Sequence, residues 1–279
     1  MQQITVSCRW LRAHLYDDDV VVLDASMNKV VGKEPIVYDK PLVIAGSQRC
    51  DLETELCDLT SNSTHAFPTP EQFSKVLSSL AIDDNSKVVV YDNQGIYSSP
   101  RAWWIFKTMG FEQVYILDGG LPQWIDEGGA TAESYRQSSP KTSTVFTPNF
   151  LTKQLSSAQD VLQTIGDDTA LVIDARANAR FTGKAPEPRE GVRSGHIPQS
   201  INLPFAQVLS GNQFKNITEL KEVFAALVPK STQTLVFSCG SGITACILLA
   251  AASISQYPNV SLYDGSWSEW GADERFPIE

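Results

Sequence analysis

The sequence predicts two α/β domains in tandem, each a parallel sheet flanked by helices on both faces. Short β-branched runs alternate with amphipathic stretches, which is how strand–helix–strand units and parallel sheets are written. Three patterns recur in the same order in the two halves. The 279 residues also suffice for two ordinary domains.

The repeats set the organisation. "VVVLDAS" (Val20–Ser26) resembles "ALVIDAR" (Ala170–Arg176), and "KVVVYDNQGI" (Lys87–Ile96) resembles "TLVFSCGSGI" (Thr234–Ile243). "YILDGGLPQW" (Tyr115–Trp124) resembles "SLYDGSWSEW" (Ser261–Trp270). Asp24 and Asp174, Asp92 and Cys239, and Asp118 and Asp264 lie 150, 147 and 146 residues apart, a nearly constant offset. Solenoid periods are far shorter, so the pattern reads as a duplicated domain. Residues 1–129 form the first copy and 147–279 the second. The Ser- and Thr-rich stretch 130–146, with little apolar periodicity, reads as a surface linker.

Within each copy the helices follow the 3.6-residue period. "PEQFSKVLSSLAI" (Pro70–Ile82) spaces Phe73, Val76, Leu77 and Leu80 along one face. Pro70 suits a first turn, and Thr69 suits the cap before it. "TELKEVFAAL" (Thr218–Leu227) repeats the idea, with Thr218 as candidate cap. Trp103 and Trp104 read as core.

Composition narrows the function. Hydrophobic residues make up 42% of the chain, enough for full cores. The formal net charge of −10 argues against nucleic acid as a partner, because neutralising phosphates needs a basic face. A small anion must then be held by local positive groups. "MQQITVSCRWLRAHL" lacks the basic start and unbroken apolar stretch of a secretory signal. No apolar run approaches the roughly 20 residues of a membrane helix. The five cysteines are scattered, which fits a reducing compartment better than a disulfide scaffold. Three histidines leave little material for zinc. The expectation is a cytoplasmic protein needing neither metal nor organic cofactor, with no membrane partner.

The chemistry concentrates in "LVFSCGSGITACILLA" (Leu235–Ala250), where an apolar strand ends in Cys239 and a helix follows two glycines. Ligands of parallel sheets gather at the carboxyl ends of strands. Thiolate is the reactive form of cysteine, and unpaired N–H groups at a helix start favour it. Gly240 and Gly242 permit backbone angles closed to other residues, so successive N–H groups can curl into an anion-holding nest. Ser241 and Thr244 add hydroxyls. The competing reading makes Cys239 a small buried hydrophobe. Cys246, among Ile247, Leu248 and Leu249, takes that reading. The first copy has Asp92 in place of Cys239, so the second copy carries the chemistry and the first shapes the site.

The cysteine loop, "SGHIPQSINLPF" (Ser194–Phe205) and "LYDGSWSEWGA" (Leu262–Ala272) together resemble the tandem rhodanese sulfurtransferases along nearly the whole chain. The CGSG–hydrophobe–Thr loop, with Ile243 as the hydrophobe, resembles the 3-mercaptopyruvate branch. Thiosulfate-using members carry two basic residues where this chain has Gly240 and Ser241. The resemblance implies a Cys239 persulfide, loaded by a small anionic sulfur donor and unloaded to a thiol, a thioredoxin-like acceptor or cyanide. It makes Cys239 and Ser241 catalytic. It gives substrate contacts to Arg180 and Arg189, to Gly240, Gly242, Ile243 and Thr244, and to Tyr97 from the first copy. An arginine fork matches a carboxylate at two points. Arg101 would tie the domains together, and Arg176 reads as structural. His196 reads as fixing a turn.

One departure stands out. Relatives usually carry a "HIPGA"-like motif in the first copy, where this chain reads "LVIAGSQ" with Val43 at the histidine position. A proton relay through Ser241 is not buildable from position 43. Ser241 then works alone, or His65 substitutes for the histidine, or activity is altered. By itself His65, in "THAFP", reads as an exposed loop residue. Three alternatives remain beside mercaptopyruvate transfer. One is a thiosulfate sulfurtransferase. Another is a sulfur carrier without turnover. The third, a phosphatase, is disfavoured because Ala245 stands where a Cys-x5-Arg loop needs arginine.

Overall fold

The computed structural model describes residues 3–137 and 146–279. They divide into two compact units. The first contains residues up to Asp58, Phe67–Leu151 and Gly211–Phe214; the second contains Leu59–Ala66, Thr152–Ser210 and Lys215–Glu279. The chain is therefore not divided at a single point: a loop from the first half, 59–66, belongs to the second unit. Residues 138–145 of the expected linker lie outside the described residues. The start of that stretch is part of the first unit, where Thr131–Ala132 forms a strand and the Arg136 N–H donates to the Ser47 carbonyl at 2.8 Å.

In chain order the first unit runs β1 (Thr5–Val6), α1 (Cys8–His14), β2 (Val20–Asp24), β3 (Val43–Ile44), β4 (Gln48–Arg49), α2 (Pro70–Ser79), β5 (Lys87–Tyr91), α3 (Ser99–Thr108), β6 (Val114–Leu117), α4 (Gly120–Asp126) and β7 (Thr131–Ala132). Its five-stranded sheet has the order β1-β6-β5-β2-β4, every pairing parallel, with Val20 opposite Lys87 and Asp24 opposite Tyr91. β3 pairs antiparallel with β7, Val43 opposite Ala132.

The second unit runs β8 (Leu155–Ser156), α5 (Ala158–Thr164), β9 (Ala170–Asp174), α6 (Asn178–Phe181), β10 (Ile201–Asn202) and β11 (Leu209–Ser210); β12 (Gln213–Phe214) returns to the first unit. Then follow α7 (Ile217–Ala225), β13 (Thr234–Ser238), α8 (Ala245–Ile254), β14 (Val260–Tyr263) and α9 (Ser266–Trp270). The second sheet is also all parallel, in the order β10-β9-β13-β14-β8, the same spatial sequence as the first. The duplication read from three short patterns thus extends to sheet topology.

Local chemistry sets the helix starts. The Thr69 hydroxyl accepts from the Gln72 amide while the Gln72 side chain accepts from Thr69, a capping box with Pro70 in the first turn. Thr218 was expected to cap α7, but the cap is Asn216. Its Oδ1 accepts from the amides of Thr218 and Glu219 at 3.0 and 3.1 Å, so the helix begins at Ile217. On one face of the first sheet, Cys8 and Leu11 of α1 and Leu121 and Trp124 of α4 pack with Val20, Val22, Val89 and Tyr91. Trp103 and Trp104 are core, as expected, each 3% exposed. On the second sheet Val161, Trp267 and Trp270 cover Val172, Val236 and Tyr263. α8 lies against β13 and β14. It is buried along Ala245–Ala252, which suits a sequence apolar all round.

Candidate active site

Cys239 stands one residue beyond β13, the central strand of the second sheet. Its side chain is almost covered, 2% exposed. Its backbone is held from both sides by the start of α9. The Cys239 N–H donates to Ser266 Oγ at 3.1 Å, and its carbonyl accepts from the Trp267 amide at 3.0 Å. The Gly240 carbonyl accepts from the Ser268 amide at 2.9 Å. Among the described residues, no protein acceptor takes the N–H groups of residues 240–244.

The two loop glycines differ from expectation. Gly242 has φ +77°, the left-handed conformation that glycine enters freely. Gly240 is not in that region. Its requirement is space: a Cβ there would lie 3.2 Å from Arg180 Nη2 and 3.7 Å from Nη1. A side chain at 240 would require the guanidinium to give by a few tenths of an ångström. Cys246 is fully buried, and its thiol donates to the Gly242 carbonyl at 3.2 Å, pinning the loop to α8. Burial pushes the Cys8 thiol up to about 12, helped by Glu127, and raises Cys50 further. Those two are packing residues.

Arg180 lies on α6 and is engaged side-on by Glu187. Its Nε donates to Glu187 Oε1 at 3.2 Å, and its Nη2 to Oε2. The end-on edge, Nη1 and Nη2, is the part nearest Gly240. Glu187 also accepts from Arg176 Nη1 at 2.9 Å. Arg176, 2% exposed, forks onto Asp174 at 2.7–3.1 Å, donates to the Gly195 carbonyl, and stacks over Trp267 at 4.4 Å. Asp174, Arg176, Glu187 and Arg180 thus form one chain of alternating charge. The sequence reading identified Arg176 as structural but passed over Glu187, which orients both arginines. Arg189 is half-buried and makes no ion pair among the described residues.

His65 is the main correction. It is not an exposed loop residue: it is half-buried within the second unit, and its Nδ1 lies 3.1 Å from Ser241 Oγ. Its φ of +57° is unusual for a residue with a side chain, and such conformations collect at functional sites. Val43 is buried in β3 of the first unit, so position 65, not 43, is where a histidine meets the loop serine. His196 stacks on Phe181 with ring centroids 3.9 Å apart, its Nδ1 3.0 Å from the Phe181 carbonyl, and steadies the end of α6.

The two site residues expected from the first copy lie in the first unit. Tyr97 is 3% exposed, and its hydroxyl accepts from the Val31 amide at 2.8 Å. Arg101, 1% exposed, has its guanidinium 5.1 Å from the Phe67 ring centroid.

A strand-end cysteine, a loop of unpaired amides and an adjacent arginine are held by one duplicated sheet. The rhodanese-like domain model matches this sequence twice, at residues 7–127 and 157–273. The chain belongs to the rhodanese family. It is 35% identical over 282 residues to the 3-mercaptopyruvate sulfurtransferase of Escherichia coli (strain K12), covering 98% of this chain and 97% of that one. It is 36% identical over 294 residues to thiosulfate/3-mercaptopyruvate sulfurtransferase 1, mitochondrial, of Arabidopsis thaliana, covering 98% and 77%. The crystal structure of the Escherichia coli 3-mercaptopyruvate sulfotransferase SseA matches with a TM-score of 0.82 at 32% identity, covering 95% of this chain and 99% of that one. Both units are rhodanese domains, and the family places this chain among enzymes of sulfur transfer. Among the described residues, no helix is long and apolar enough to cross a membrane, and no cluster of three or more His, Cys, Asp or Glu side chains is placed to hold a metal ion.

Proposed function

We propose that this rhodanese-family protein moves sulfur from 3-mercaptopyruvate to a thiophilic acceptor through a persulfide on Cys239. The observation that carries the donor assignment is the Arg180 guanidinium over Gly240, beside a loop with no basic side chain of its own. Thiosulfate concentrates two charges in a small volume. A 2-oxo carboxylate presents one, which an arginine edge binds at two points. Arg180 and Arg189 hold that carboxylate in this reading.

The Cys239 thiolate attacks the substrate sulfur. The S–S bond forms as the S–C3 bond breaks, and the electron pair leaves on carbon as the enolate of pyruvate. Protonation at C3 yields pyruvate. The substrate's thiol proton and the proton needed at C3 pass through Ser241 and His65, whose geometry suits a hydroxyl–imidazole relay. The amides of 240–244 steady the charged persulfide sulfur. An acceptor, whether a small thiol, a thioredoxin-like protein or cyanide, then attacks the outer sulfur and releases the Cys239 thiolate. The two half-reactions give ping-pong kinetics.

Intact-protein mass spectrometry after brief exposure to 3-mercaptopyruvate tests the intermediate. One added sulfur is expected on the parent and none on Cys239→Ser. A clear preference for thiosulfate in kcat/KM would overturn the donor assignment. Low donor turnover alongside stable persulfide transfer to a protein partner would replace the enzyme by a carrier.

A further inference from the structure

We infer that Ser266 is a positioning residue for the Cys239 nucleophile, a role that rests on the sulfur-transfer reading above. Ser266 is fully buried at the start of α9, and its φ is +49°. L-residues with a side chain disfavour that conformation, whereas glycine accepts it freely. Two hydrogen bonds hold the hydroxyl in one place. Ser266 Oγ accepts the Cys239 N–H at 3.1 Å and donates its own proton to the Tyr263 carbonyl at 2.8 Å. The end of β14, the first residue of α9 and the nucleophile's own amide are thereby tied through one oxygen. The Trp267 amide completes the clamp on the Cys239 carbonyl.

The first unit shows what the fold needs without a nucleophile. There the matching residue is Gly120, with φ +54°, and the Leu121 amide donates to the Asp92 carbonyl at 3.0 Å just as Trp267 does to Cys239. A Cβ at Gly120 would fall 2.4 Å from the Gly95 carbonyl oxygen and 2.5 Å from that of Asp92. The turn is thus built around glycine in the copy bearing Asp92. It bears a strained serine only in the copy bearing the reactive sulfur. The serine contributes a bond that fixes the backbone at Cys239 and so the direction of its Cα–Cβ bond. Sulfur transfer needs the thiolate in line with the S–C bond that breaks, so a loosened Cα costs rate more than binding.

The test compares Ser266→Gly, which removes the hydroxyl and relieves the strain, with Ser266→Ala, which removes the hydroxyl and keeps the strain. Four quantities are read: Tm, kcat and KM for 3-mercaptopyruvate, and the rate of Cys239 alkylation by iodoacetamide at fixed pH. Ser266→Gly is expected to keep the parental Tm and KM while kcat falls roughly 10-fold or more, with slower alkylation. Ser266→Ala is expected to show the same kinetic loss at a lower Tm. Parental kcat and alkylation in a folded Ser266→Gly would overturn the role, as would activity losses that merely follow Tm in both variants. Alkylation does not depend on the donor, so a parent inactive toward mercaptopyruvate would sink the donor assignment and still leave Ser266 tested.

Discussion

Residues 92–99 of the first unit and 239–245 of the second trace one turn. Each begins just after the central strand of its sheet, and each turns on a positive-φ glycine three residues later, Gly95 at +97° and Gly242 at +77°. Each then starts a buried helix. In the first unit Asp92 fills the turn from within. Its carboxylate, 0% exposed, accepts from the amides of Gln94, Tyr97, Ser98 and Ser99 at 2.9–3.0 Å and from the Ser99 hydroxyl at 2.7 Å. A strap closes over it: the Tyr38 hydroxyl donates to the Asn93 carbonyl, and Lys33 Nζ to that of Gln94. In the second unit Cys239 replaces the carboxylate, and the strap's counterpart carries the arginines. Gly32-Lys33-Glu34-Pro35 in the first unit answers to Gly183-Lys184-Ala185-Pro186 in the second, both glycines with positive φ. The difference teaches what the turn is for. It gathers N–H groups around negative charge. One copy fills the turn with the Asp92 carboxylate, and in the proposed reaction the other serves a sulfur that comes and goes.

The comparison breaks most visibly if activity can be moved between copies. Cys239→Ser should lower turnover of 3-mercaptopyruvate by ~10³-fold or more, as loss of a covalent nucleophile does. Adding Asp92→Cys to it should restore nothing, because the first turn has Gln94 at the place of Ser241 and Asn212 beside Gly95, and among the described residues no arginine stands there as Arg180 does beside Gly240. A double variant that turned over the donor would show that the turn alone makes the enzyme.

The next effect is on stability. Asp92→Ala leaves four buried amides and a hydroxyl without their acceptor and should destabilise the first unit by ~3–5 kcal/mol in urea unfolding. Cys239→Ala removes no such acceptor and should stay within ~1 kcal/mol. Equal losses would mean that the two turns are filled alike.

Smaller effects sort the second site's side chains. Arg180→Gln should raise KM for 3-mercaptopyruvate ~10- to 100-fold, the equivalent of one charge-assisted pair. His65→Asn tolerates positive φ but offers no imidazole. It should lower kcat by ~10²-fold with KM little changed. An unchanged kcat would remove His65 from the relay.

Much of this was legible in the sequence. The repeats gave the strand order's symmetry because β-branched runs ending in Asp-Ala survive in both copies. The place of Cys239 was legible because an apolar strand running into Gly-x-Gly and then a helix marks a strand-to-helix junction. Glu187 was not, because α6 ends at Phe181 and Glu187 lies beyond it in irregular chain, so no helix period brings its carboxylate to the two arginines 11 and 7 residues before it. His65 meets Ser241 across 176 residues, and its loop belongs to a unit that its place in the chain does not suggest. Ser266 was hidden inside "DGSW", because its burial, its dihedral angle and its bond to Cys239, 27 residues earlier in the chain, appear only once the chain is folded.

The smallest expected effect concerns Asp24, which ends β2, set against Asp174, which ends β9. Asp174 is forked by Arg176. Asp24, 3% exposed, accepts from the Ser26 amide and hydroxyl and the Tyr135 hydroxyl, and among the described residues no cation pairs with it. Burial pushes the Asp24 carboxyl above its ordinary range, and the charge of Asp92 adds to the rise. A folded pKa above the unfolded one means that the folded state holds its proton more tightly. The stabilising contribution is complete below the ordinary carboxylate pKa and is lost as pH rises through the folded value. Ionising Asp24 in the folded state is therefore a liability. Asp24→Asn should raise Tm slightly, by about 2 °C or less, with the gain shrinking as pH falls toward the carboxylate range. Asp174→Asn should lower Tm, because it strips the buried Arg176 of its charged fork. A drop in both variants would show that Asp24 has a cationic partner in solution and that the two positions are electrostatically alike.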